Sequence, residues 1–520
     1  MSTPNPAAGP AAQPPGAPQP GDRPATARSG GFAPPAVADL VDGGWRDCAT
    51  PLGFALEDPA TGRPVGDAVG SDPQRVEQAV TAAAALHTAG TWQRVPAAER
   101  ADLLDAVAAE VEAAAPEITA LEAYATGVPI RQTGMLSVIL GGAFRLAAMQ
   151  LREGWLSSAM PREDGRLAHV DRLPWGPAAC LVPWNAPAPM AAHKAANALA
   201  AGCPTIVKPS EYAPYGTQAL AAAVARALAA AGLPGGLFQL VHGDAGTGAR
   251  LVRDPRVRAV SFTGGLASGR AVAAACAYDI KPVQLELGGN NPLVVLPDAD
   301  TATAARAAAD LLTTLNGQWC RALGRLIVPA DRAEEILRAT LDRVAALRAG
   351  SPLDPETDYG PLVHSGHRAR VAAARDALTA DGGTAHTALA VPDEGNFLSP
   401  TLVTGVAPAR TVHEIFGPVA AVHTYPTVDE AVALANGTPY GLEAYVCGAD
   451  EEQALAVARR LTAGEVKVNG SSIMSLHLFT PRPAWGLSGY SEEGTAETLR
   501  FFTNARVVGV EGGFALHGRP

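Results

Sequence analysis

The stretch Leu315-Asn316-Gly317-Gln318-Trp319-Cys320 decides how the chain is interpreted, because it places a cysteine directly after a turn-forming Asn-Gly pair. Asn-Gly interrupts regular structure, and a thiol just beyond such a break can lie on an exposed rim where it is able to react. The alternative is a small core side chain, because free cysteine is among the most buried residue types. Whether Cys320 is a nucleophile or a core residue therefore depends on the motifs found elsewhere in the chain.

The composition limits the class of protein. At 520 residues the chain is long enough for about two to four domains of ordinary size. A formal net charge of -11 argues against nucleic acid or an anionic membrane surface as a partner, because both require a concentrated basic surface. The six cysteines show neither CxxC nor Cys/His metal spacing. We therefore expect no disulfide framework and no metal site, and this cysteine usage fits a cytoplasmic protein.

The N-terminal residues differ in composition from the rest of the chain. Residues 1–35 are mainly Pro, Ala, Gly and Gln with almost no large apolar side chain. Such a segment buries too little surface to offset its ordering entropy, so we expect a disordered tail, and it lacks the pattern of a secretory signal. Farther along, the Ala-rich segments are interrupted by charged residues, so no membrane-spanning stretch is expected.

The middle of the chain alternates short apolar runs with helical patterns. The three units are strand 178–182 before helix 188–200, strand 205–207 before helix 216–231, and strand 257–262 before helix 266–277. This alternation predicts an α/β domain built on a parallel sheet. A second α/β block is expected to run to about Val468.

Several element boundaries are predicted by local signals. Ser71 opens a Ser-x-x-Gln capping box and Thr427 opens a Thr-x-x-Glu box, so each is expected to start a helix. Gly and Pro within 126–129 predict a helix end. The polar and apolar residues of 166–173 alternate, which predicts a strand with one face covered.

Polar residues follow the predicted strands at their carboxyl ends, where open α/β sheets bind ligands. Asn185, preceded by Pro183 and Trp184, follows the first strand, and its amide is able to donate to an oxyanion. Lys208 and Glu211 follow the second strand at a spacing that allows both to meet a ribose. Each has an ordinary alternative, because Asn in a turn is usually structural and a Lys-x-x-Glu pair is often a solvated turn.

Three further loops carry candidate residues. The segment Phe262-Thr263-Gly264-Gly265 joins a strand to a helix N-terminus, which favours a phosphate, although it is not GxGxxG and glycine loops alone are weak signals. Glu286 ends an apolar strand before Gly288-Gly289, where burial is expected to raise its pKa toward that of a general base. Glu414 and Phe416 share one tight loop.

In this order and at these separations, the motifs closely resemble the aldehyde dehydrogenase superfamily, from about Trp45 to Val510. The resemblance implies an α/β fold with two parallel-sheet domains and a bridging β-ribbon, assembled as a homodimer or homotetramer. It also implies a nicotinamide-cofactor domain at 36–150 and 177–287, a catalytic domain at 288–486, and an oligomerisation ribbon at 151–176 and 487–515.

By motif match, the resemblance implies that Cys320 is the nucleophile, Glu286 the general base, and Asn185 with the backbone N-H of Cys320 the oxyanion hole. It implies that Lys208 and Glu211 hold the adenosine ribose. The other cofactor contacts it implies are Pro183, Trp184, Ser210, Thr263, Gly264, Gly265, Gly269, Leu287, Gly288, Glu414 and Phe416. NAD is expected and NADP less so, because a carboxylate such as that of Glu211 hydrogen-bonds a ribose hydroxyl but repels a phosphate.

The resemblance implies oxidation of a small-molecule aldehyde to a carboxylic acid through a thiohemiacetal and a thioester on Cys320. Glu286 favours hydrolysis of the thioester, because relatives that transfer the acyl group to coenzyme A usually lack that carboxylate. An acylating or reductive family member remains an alternative, as does an inactive relative that serves as a binding protein.

The chain departs from the family pattern in a few places. Gly265 replaces the usual Ser, Leu315 the usual Asn, and Asn290 the usual Lys, while 483–489 is a shortened form of the usual Phe-Gly-Gly segment. Trp319 and Arg321 flank the nucleophile, and we hypothesise that one of them selects a polar, acidic or aromatic aldehyde. The alternative for Arg321 is a salt bridge away from the pocket. His477 and Phe479 are further candidates for the substrate pocket.

Overall fold

The computed structural model describes residues 32–511. Most of the tail expected at 1–35 therefore lies outside the described residues. The helices, numbered in chain order, are α1 Pro73–Ala89, α2 Ala97–Thr126, α3 Ile130–Arg152, α4 Pro187–Ala201, α5 Tyr215–Ala230, α6 Ala245–Arg253, α7 Leu266–Tyr278, α8 Thr301–Thr313, α9 Ala333–Ala345, α10 Ser365–Ala380, α11 Val428–Asn436, α12 Glu451–Ala458 and α13 Thr495–Phe501.

The strands, numbered in the same way, form two large sheets and several small ones. They are β1 Ala38–Val41, β2 Gly44–Asp47, β3 Thr50–Asp58, β4 Arg63–Gly70, β5 Ser157–Pro161, β6 Leu167–Pro174, β7 Ala178–Leu181, β8 Thr205–Lys208, β9 Phe238–Leu240, β10 Ala259–Thr263, β11 Val283–Glu286, β12 Asn291–Val295, β13 Leu323–Pro329, β14 Thr384–Thr387, β15 Thr401–Thr404, β16 Val419–Tyr425, β17 Tyr440–Gly441, β18 Glu443–Cys447, β19 Glu465–Val468, β20 Arg482–Pro483, β21 Trp485–Gly486, β22 Gly489–Tyr490, β23 Glu492–Glu493 and β24 Thr503–Val508.

The first sheet has the order β2-β1-β9-β8-β7-β10-β11-β22. Its central strands are parallel and fully or mostly buried, as expected for short apolar runs covered by helices on both faces. Register pairs Leu181 with Lys208 and Thr263 with Glu286, which brings the carboxyl ends of these strands to one edge. The predicted α/β class is confirmed, with antiparallel strands only at the margins of the parallel core.

A helical layer covers this sheet. The periodic residues Leu104, Val107 and Val111 are buried within α2, a single helix of 30 residues that also contains Pro116. It packs against α3 and α5. Burying each such side chain contributes roughly 1.5–3 kcal/mol, so this layer is a large part of the domain core.

The capping box predicted at Ser71 is wrong. Helix α1 begins at Pro73, and its N-cap is Asp72, whose side chain accepts from the Arg75 N-H. The Ser71 hydroxyl is bonded instead to the Asp39 carboxylate and to the carbonyl of His242, both at 2.8 Å. The Ser71 hydroxyl, which the local pattern predicted as the helix cap, therefore binds residues that are distant in sequence.

The second sheet has the order β14-β15-β16-β13-β12-β18-β19 and is also parallel apart from the edge pair β14 and β15. Helices α8 and α9 pack on one another beside β13, and the segment of Cys320 lies between α8 and β13. The predicted cap at Thr427 is confirmed, since its side chain accepts from the Glu430 N-H.

Strands β5, β6 and β24 form a separate three-stranded antiparallel sheet. This sheet combines 157–174 with 503–508, in the ranges that the sequence assigns to the ribbon. Strand β22, which also lies within the predicted range 487–515, instead pairs with β11 at the edge of the first sheet. Its Gly489 is thereby brought opposite Glu286.

Helix α3 is the one described helix long and apolar enough, by length and composition, to cross a membrane. Half of its most apolar 18-residue window is buried inside the protein. Because it packs extensively against α2 and α4, its apolar face serves the domain core.

Candidate active site

The nucleophile loop has an unusual backbone. Leu315, Asn316 and Gly317 have φ values of 49°, 57° and 73°, so consecutive residues occupy the left-handed region. Asn and Gly tolerate this conformation, whereas a Leu there costs about 1–2 kcal/mol. A Cβ at Gly317 would lie 2.5 Å from the Pro418 nitrogen, so close packing as well as φ requires glycine. The Asn-Gly break predicted from sequence is present in a tighter form than a simple turn.

Buried hydrogen bonds hold this backbone in place. The Asn316 amide donates to the carbonyls of Gly127 at 2.8 Å and Pro361 at 2.9 Å, and its oxygen accepts from the Gly360 N-H at 2.8 Å. The neighbouring Gln318 oxygen accepts from the Val363 N-H at 2.9 Å. These bonds offset the cost of the strained conformation and join the loop to a distant segment.

Two asparagines fix the position of Cys320. The Asn185 amide donates to the Gln318 carbonyl at 2.9 Å, so Asn185 lies beside the nucleophile loop. The Asn291 amide donates to the carbonyls of Cys320 and Ala322 at 2.9 and 2.8 Å. The structure therefore brings the predicted oxyanion donor and the predicted nucleophile together.

Cys320 and most of the other candidate residues border one cavity of about 1300 Å³. Burial raises the pKa of the Cys320 thiol to about 12; the positive charge of Arg321 opposes this effect and the carboxylates of Glu286 and Glu414 add to it. The thiol is thus neutral at physiological pH, and attack requires a group that takes its proton.

Apolar side chains from α3 and from the loop 473–478 cover one side of Cys320. Leu136, Ile139 and Ile473 belong to the same apolar cluster as Trp319 and Cys320. All three also line the cavity.

Glu286 ends β11 with its carboxyl group buried in the cavity wall. Its Oε1 atom has no hydrogen-bond partner among residues 32–511. Burial and the negative charge of Glu493 raise its pKa well above the ordinary value, while nearby Arg321 and Arg482 partly counter the effect. A buried carboxyl with an unused oxygen and a raised pKa has the properties of a general base.

A second titratable group was missed by the sequence analysis. Lys194 on α4 is fully buried; its ammonium donates to the Ser261 hydroxyl at 2.7 Å and lies 3.7 Å from the Glu493 carboxylate. His193 lies 3.8 Å from the same carboxylate. Burial opposes ionisation of Glu493, but Lys194, His193 and Arg482 together hold its pKa below the ordinary value. The only available signal was a lysine within an Ala-rich apolar helix.

Lys208 and Glu211 border the same cavity. The Lys208 ammonium is 3.7 Å from the Glu211 carboxylate and donates to the Pro209 carbonyl at 3.0 Å. Burial lowers the pKa of Lys208, and Glu211 counters that effect. Ser210 donates to Glu211 at 3.4 Å. The predicted pair is therefore assembled, with a carboxylate positioned to accept from a ligand hydroxyl.

The glycine loop opens into the same cavity at the start of α7. Gly265 is the N-cap, and a Cβ there would meet no atom within 4 Å. The Thr263 hydroxyl is buried without a hydrogen-bond partner among the described residues. Free N-H groups at a helix N-terminus beside open space suit an anionic group such as a phosphate.

Gly269 is placed differently from the sequence prediction. A Cβ on Gly269 would lie 2.5 Å from the Leu287 side chain, and Gly269 is not part of the cavity wall. Its role in the structure is to let α7 approach β11 closely. It does not border the region where a pyrophosphate was expected.

Glu414 and Phe416 also border the cavity. The Glu414 carboxylate accepts from the Gly289 N-H at 2.8 Å, and burial raises its pKa to about 8. Phe416 has φ 56°, and its ring stands perpendicular to that of Trp184 at a centroid distance of 5.4 Å. His367, missed from sequence, lies 4.9 Å from the Trp184 ring.

Other predicted cofactor contacts lie in the same cavity wall. They are Pro183, Trp184, Ser210, Thr263, Gly264, Leu287 and Gly288. Gly288 has no room for a side chain, because a Cβ would overlap the Glu414 carboxylate.

Arg321 does not point a free guanidinium at the substrate. It is 3% exposed and is bonded to Glu443 and, at 2.7 Å, to Glu465. The salt-bridge alternative is the arrangement found, since two carboxylates compensate a charge that burial would otherwise penalise. It ties the residue after Cys320 to β18 and β19.

The remaining pocket candidates are divided. Trp319 and His477 border the cavity. Phe479 does not; its ring packs at 5.9 Å from that of Trp155 and at 5.8 Å from that of His477.

Within residues 32–511, no group of three or more His, Cys, Asp or Glu side chains is arranged to hold a metal ion. The six cysteines all fall within this range and are free thiols.

Comparison with known proteins identifies the family of this site. The sequence model described as "Aldehyde dehydrogenase family" matches residues 45–508. The chain belongs to the aldehyde dehydrogenase family. Among relatives of this aldehyde dehydrogenase, betaine aldehyde dehydrogenase of Cereibacter sphaeroides is 34% identical over 483 residues, covering 92% of this chain and 97% of the relative.

Two further relatives are named for, or bound to, different aldehydes. A non-phosphorylating aspartate-semialdehyde dehydrogenase of Halomonas elongata is 34% identical over 473 residues, covering 87% of this chain and 91% of the relative. The solved structure of an aldehyde dehydrogenase from Pseudomonas syringae, complexed with NAD+ and octanal, has a TM-score of 0.84 and 29% identity. It covers 91% of this chain and 96% of that chain.

Proposed function

We propose that this aldehyde dehydrogenase oxidises an aldehyde to the carboxylic acid with NAD as hydride acceptor and releases the acid by hydrolysis. The observation that carries the proposal is the buried Glu286 carboxyl, with an unused oxygen, in the same cavity as the Cys320 thiol. A nucleophile and a base that share one enclosed site are what a covalent hydrolytic mechanism needs.

The first step forms a covalent bond to Cys320. The sulfur adds to the aldehyde carbon, the thiol proton passes to a base, and the carbonyl oxygen becomes an oxyanion. The Asn185 amide and the Cys320 backbone N-H are the donors assigned to that oxyanion. One such donor commonly contributes about 2.7–4 kcal/mol to the transition state.

The NAD site is assigned to the residues at the strand ends. The open space at Gly265, the unpartnered Thr263 hydroxyl and the Lys208–Glu211 pair fit a dinucleotide phosphate and ribose. When bound, NAD supplies the acceptor for the hydride that leaves the former aldehyde carbon. The Glu211 carboxylate favours NAD over NADP, because it would repel a ribose phosphate.

The last step frees the enzyme. Glu286 takes a proton from water, the hydroxyl oxygen bonds to the thioester carbon, and the carbon-sulfur bond breaks. The thiolate regains a proton, and the carboxylic acid leaves. The Lys194–Glu493 pair keeps charge near Glu286 and so influences when this carboxyl ionises.

The test combines an aldehyde panel with two variants. Wild-type enzyme is expected to produce NADH from NAD with an equal amount of acid, and more slowly to reduce NADP. Glu286→Gln is expected to release a single burst of NADH per subunit and then stop, because the thioester accumulates. Cys320→Ala is expected to produce none.

Turnover that requires coenzyme A, or acid release that is unchanged in Glu286→Gln, would contradict the hydrolytic mechanism. Absence of NADH with every aldehyde in the panel would contradict the enzymatic proposal itself and favour an inactive binding relative.

A further inference from the structure

Arg482 is a cation of the cavity wall that forms no ion pair with any of residues 32–511. It lies half-buried on the short strand β20 and borders the cavity that contains Cys320. Among residues 32–511 its guanidinium makes neither an ion pair nor a side-chain hydrogen bond, and its Nε atom is buried and unpartnered. A guanidinium carries only donors, so burying one without an acceptor is costly unless a ligand supplies the acceptor.

Two other arginines of the same cavity are already paired with carboxylates. Arg321 is bonded to Glu443 and Glu465, and Arg145 donates to Glu112 at 2.6 Å. Two arginines of the cavity wall, Arg321 and Arg482, act on the charge of Cys320. Of these two, Arg482 is the one without an ion-pair partner among residues 32–511.

The carboxylate opposite Arg482 in strand register pairs with other residues. Strand register pairs Arg482 with Glu493, but no Arg482 nitrogen lies within 4.0 Å of the Glu493 oxygens. Glu493 lies instead 3.7 Å from the Lys194 ammonium and 3.8 Å from His193. Glu493 therefore leaves the hydrogen-bonding capacity of Arg482 unused.

Arg482 also lies near the reacting groups. Burial raises the pKa of the Cys320 thiol and of the Glu286 carboxyl, and the charge of Arg482 is among the influences that lower both. The same cavity wall presents the aliphatic residues Leu136, Ile139 and Ile473, which belong to the apolar cluster of Cys320. This arrangement matches a molecule with an aldehyde at one end, an apolar spacer and an anion at the other.

We propose that Arg482 binds a carboxylate on the substrate, so that the preferred aldehydes are semialdehydes of dicarboxylic acids. This inference rests on the proposed aldehyde oxidation. A guanidinium meets a carboxylate through parallel, charge-assisted hydrogen bonds, which supply both affinity and orientation. A trimethylammonium or amino group at the same place would meet an uncompensated positive charge.

The experiment compares kcat/KM for succinic, glutaric and adipic semialdehydes with that for butanal, pentanal, hexanal and betaine aldehyde. The best semialdehyde is expected to exceed its uncharged partner by about 10- to 100-fold, the factor that charge-assisted hydrogen bonds of ordinary strength provide. Betaine aldehyde is expected to be the poorest. An uncharged or cationic aldehyde that equals the best semialdehyde would overturn the proposal.

Variants locate the preference. Arg482→Gln is expected to remove most of the semialdehyde preference, chiefly through a higher KM, and Arg482→Lys to restore part of it. Arg145→Gln, the same change at a paired arginine of the same cavity, is expected to keep the preference. An equal loss of kcat/KM for charged and uncharged aldehydes in Arg482→Gln would assign Arg482 a structural role instead.

A binding measurement separates this proposal from the catalytic one. In Cys320→Ala, which is unable to turn over, glutarate is expected to bind with NAD present, and Arg482→Gln in that background is expected to weaken binding by about tenfold or more. Equal binding by both proteins would overturn the proposal. Failure of all aldehydes to yield NADH would count against the enzymatic proposal, while this titration would still decide the role of Arg482.

Discussion

At the scale of single residues, burial favours the neutral forms of Cys320, Glu286 and Glu414. Burial raises the pKa of the Cys320 thiol to about 12 and that of the Glu414 carboxyl to about 8, and it raises the pKa of Glu286 as well. A neutral thiol is protected from unwanted oxidation, because the thiolate is the form that reacts. A neutral thiol also has to lose its proton before it reacts, so an ionised base is needed in the site.

The need for an ionised base predicts that kcat depends on pH. Glu286 acts as a base only when ionised, and its pKa lies above the ordinary 4.5, so kcat is expected to rise with pH along a limb displaced to well above pH 5. Steady-state NADH production between about pH 5 and pH 10 measures it. A flat wild-type profile would exclude Glu286 as the limiting base.

At the scale of elements, the loop between β10 and α7 uses two glycines for different reasons. Gly265 caps the helix in open space, and Gly269 allows the Leu287 side chain of the neighbouring strand segment to approach. At an N-cap, Gly stabilises the helix less than Ser does, because the Ser hydroxyl accepts from an otherwise unpaired backbone N-H. At Gly269, glycine is required by contact.

This difference predicts opposite effects of the same substitution. Gly265→Ser is expected to raise stability by a few tenths of a kcal/mol and to lower the KM for NAD, because a hydroxyl is added beside the phosphate site. Gly269→Ser is expected to cost about 1–3 kcal/mol through overpacking against Leu287. Urea unfolding and NAD titration measure both. Equal stability of the two variants would contradict the assignment.

At the scale of the whole molecule, the three-stranded sheet presents apolar side chains to solvent. Met160, Leu167, Val507 and Val508 are 59%, 47%, 69% and 47% exposed. Such a patch is typical of a protein interface, and an unpaired sheet edge adds a surface for assembly. We propose that this ribbon joins copies of the chain into a dimer or tetramer.

Light scattering tests the assembly. Wild-type protein at micromolar concentration is expected to have at least twice the 53.1 kDa mass of the chain. Val507→Glu is expected to shift it toward the monomer by placing a charge in the interface. Val65→Glu, at a valine 38% exposed on β4, is the matched control and is expected to leave the mass unchanged. A monomeric wild-type protein would refute the proposal.

The short-range patterns of the sequence predicted much of the fold. The strand-helix units around β7, β8 and β10, the Thr427 cap and the break before Cys320 depend on hydrophobic periodicity and turn chemistry, which act over a few residues. The motif set also predicted Cys320, Asn185 and Glu286 in one site, and the structure assembles them around one cavity. The prediction of Ser71 as a helix cap is wrong because its hydroxyl donates to Asp39, which is 32 residues away in sequence.

What the sequence by itself determined is therefore the fold class and the family, together with a prediction of the reacting groups. Only the tertiary structure decided which charges remain available. Arg321 and Arg482 are the same residue type, so the sequence does not distinguish their charges. Arg321 forms ion pairs with carboxylates 122 and 144 residues farther along the chain. Arg482 has no carboxylate within ion-pair distance among the described residues. Coulomb energy and desolvation depend on distance in space, so the pairing of a charge is settled by packing and not by its sequence neighbours.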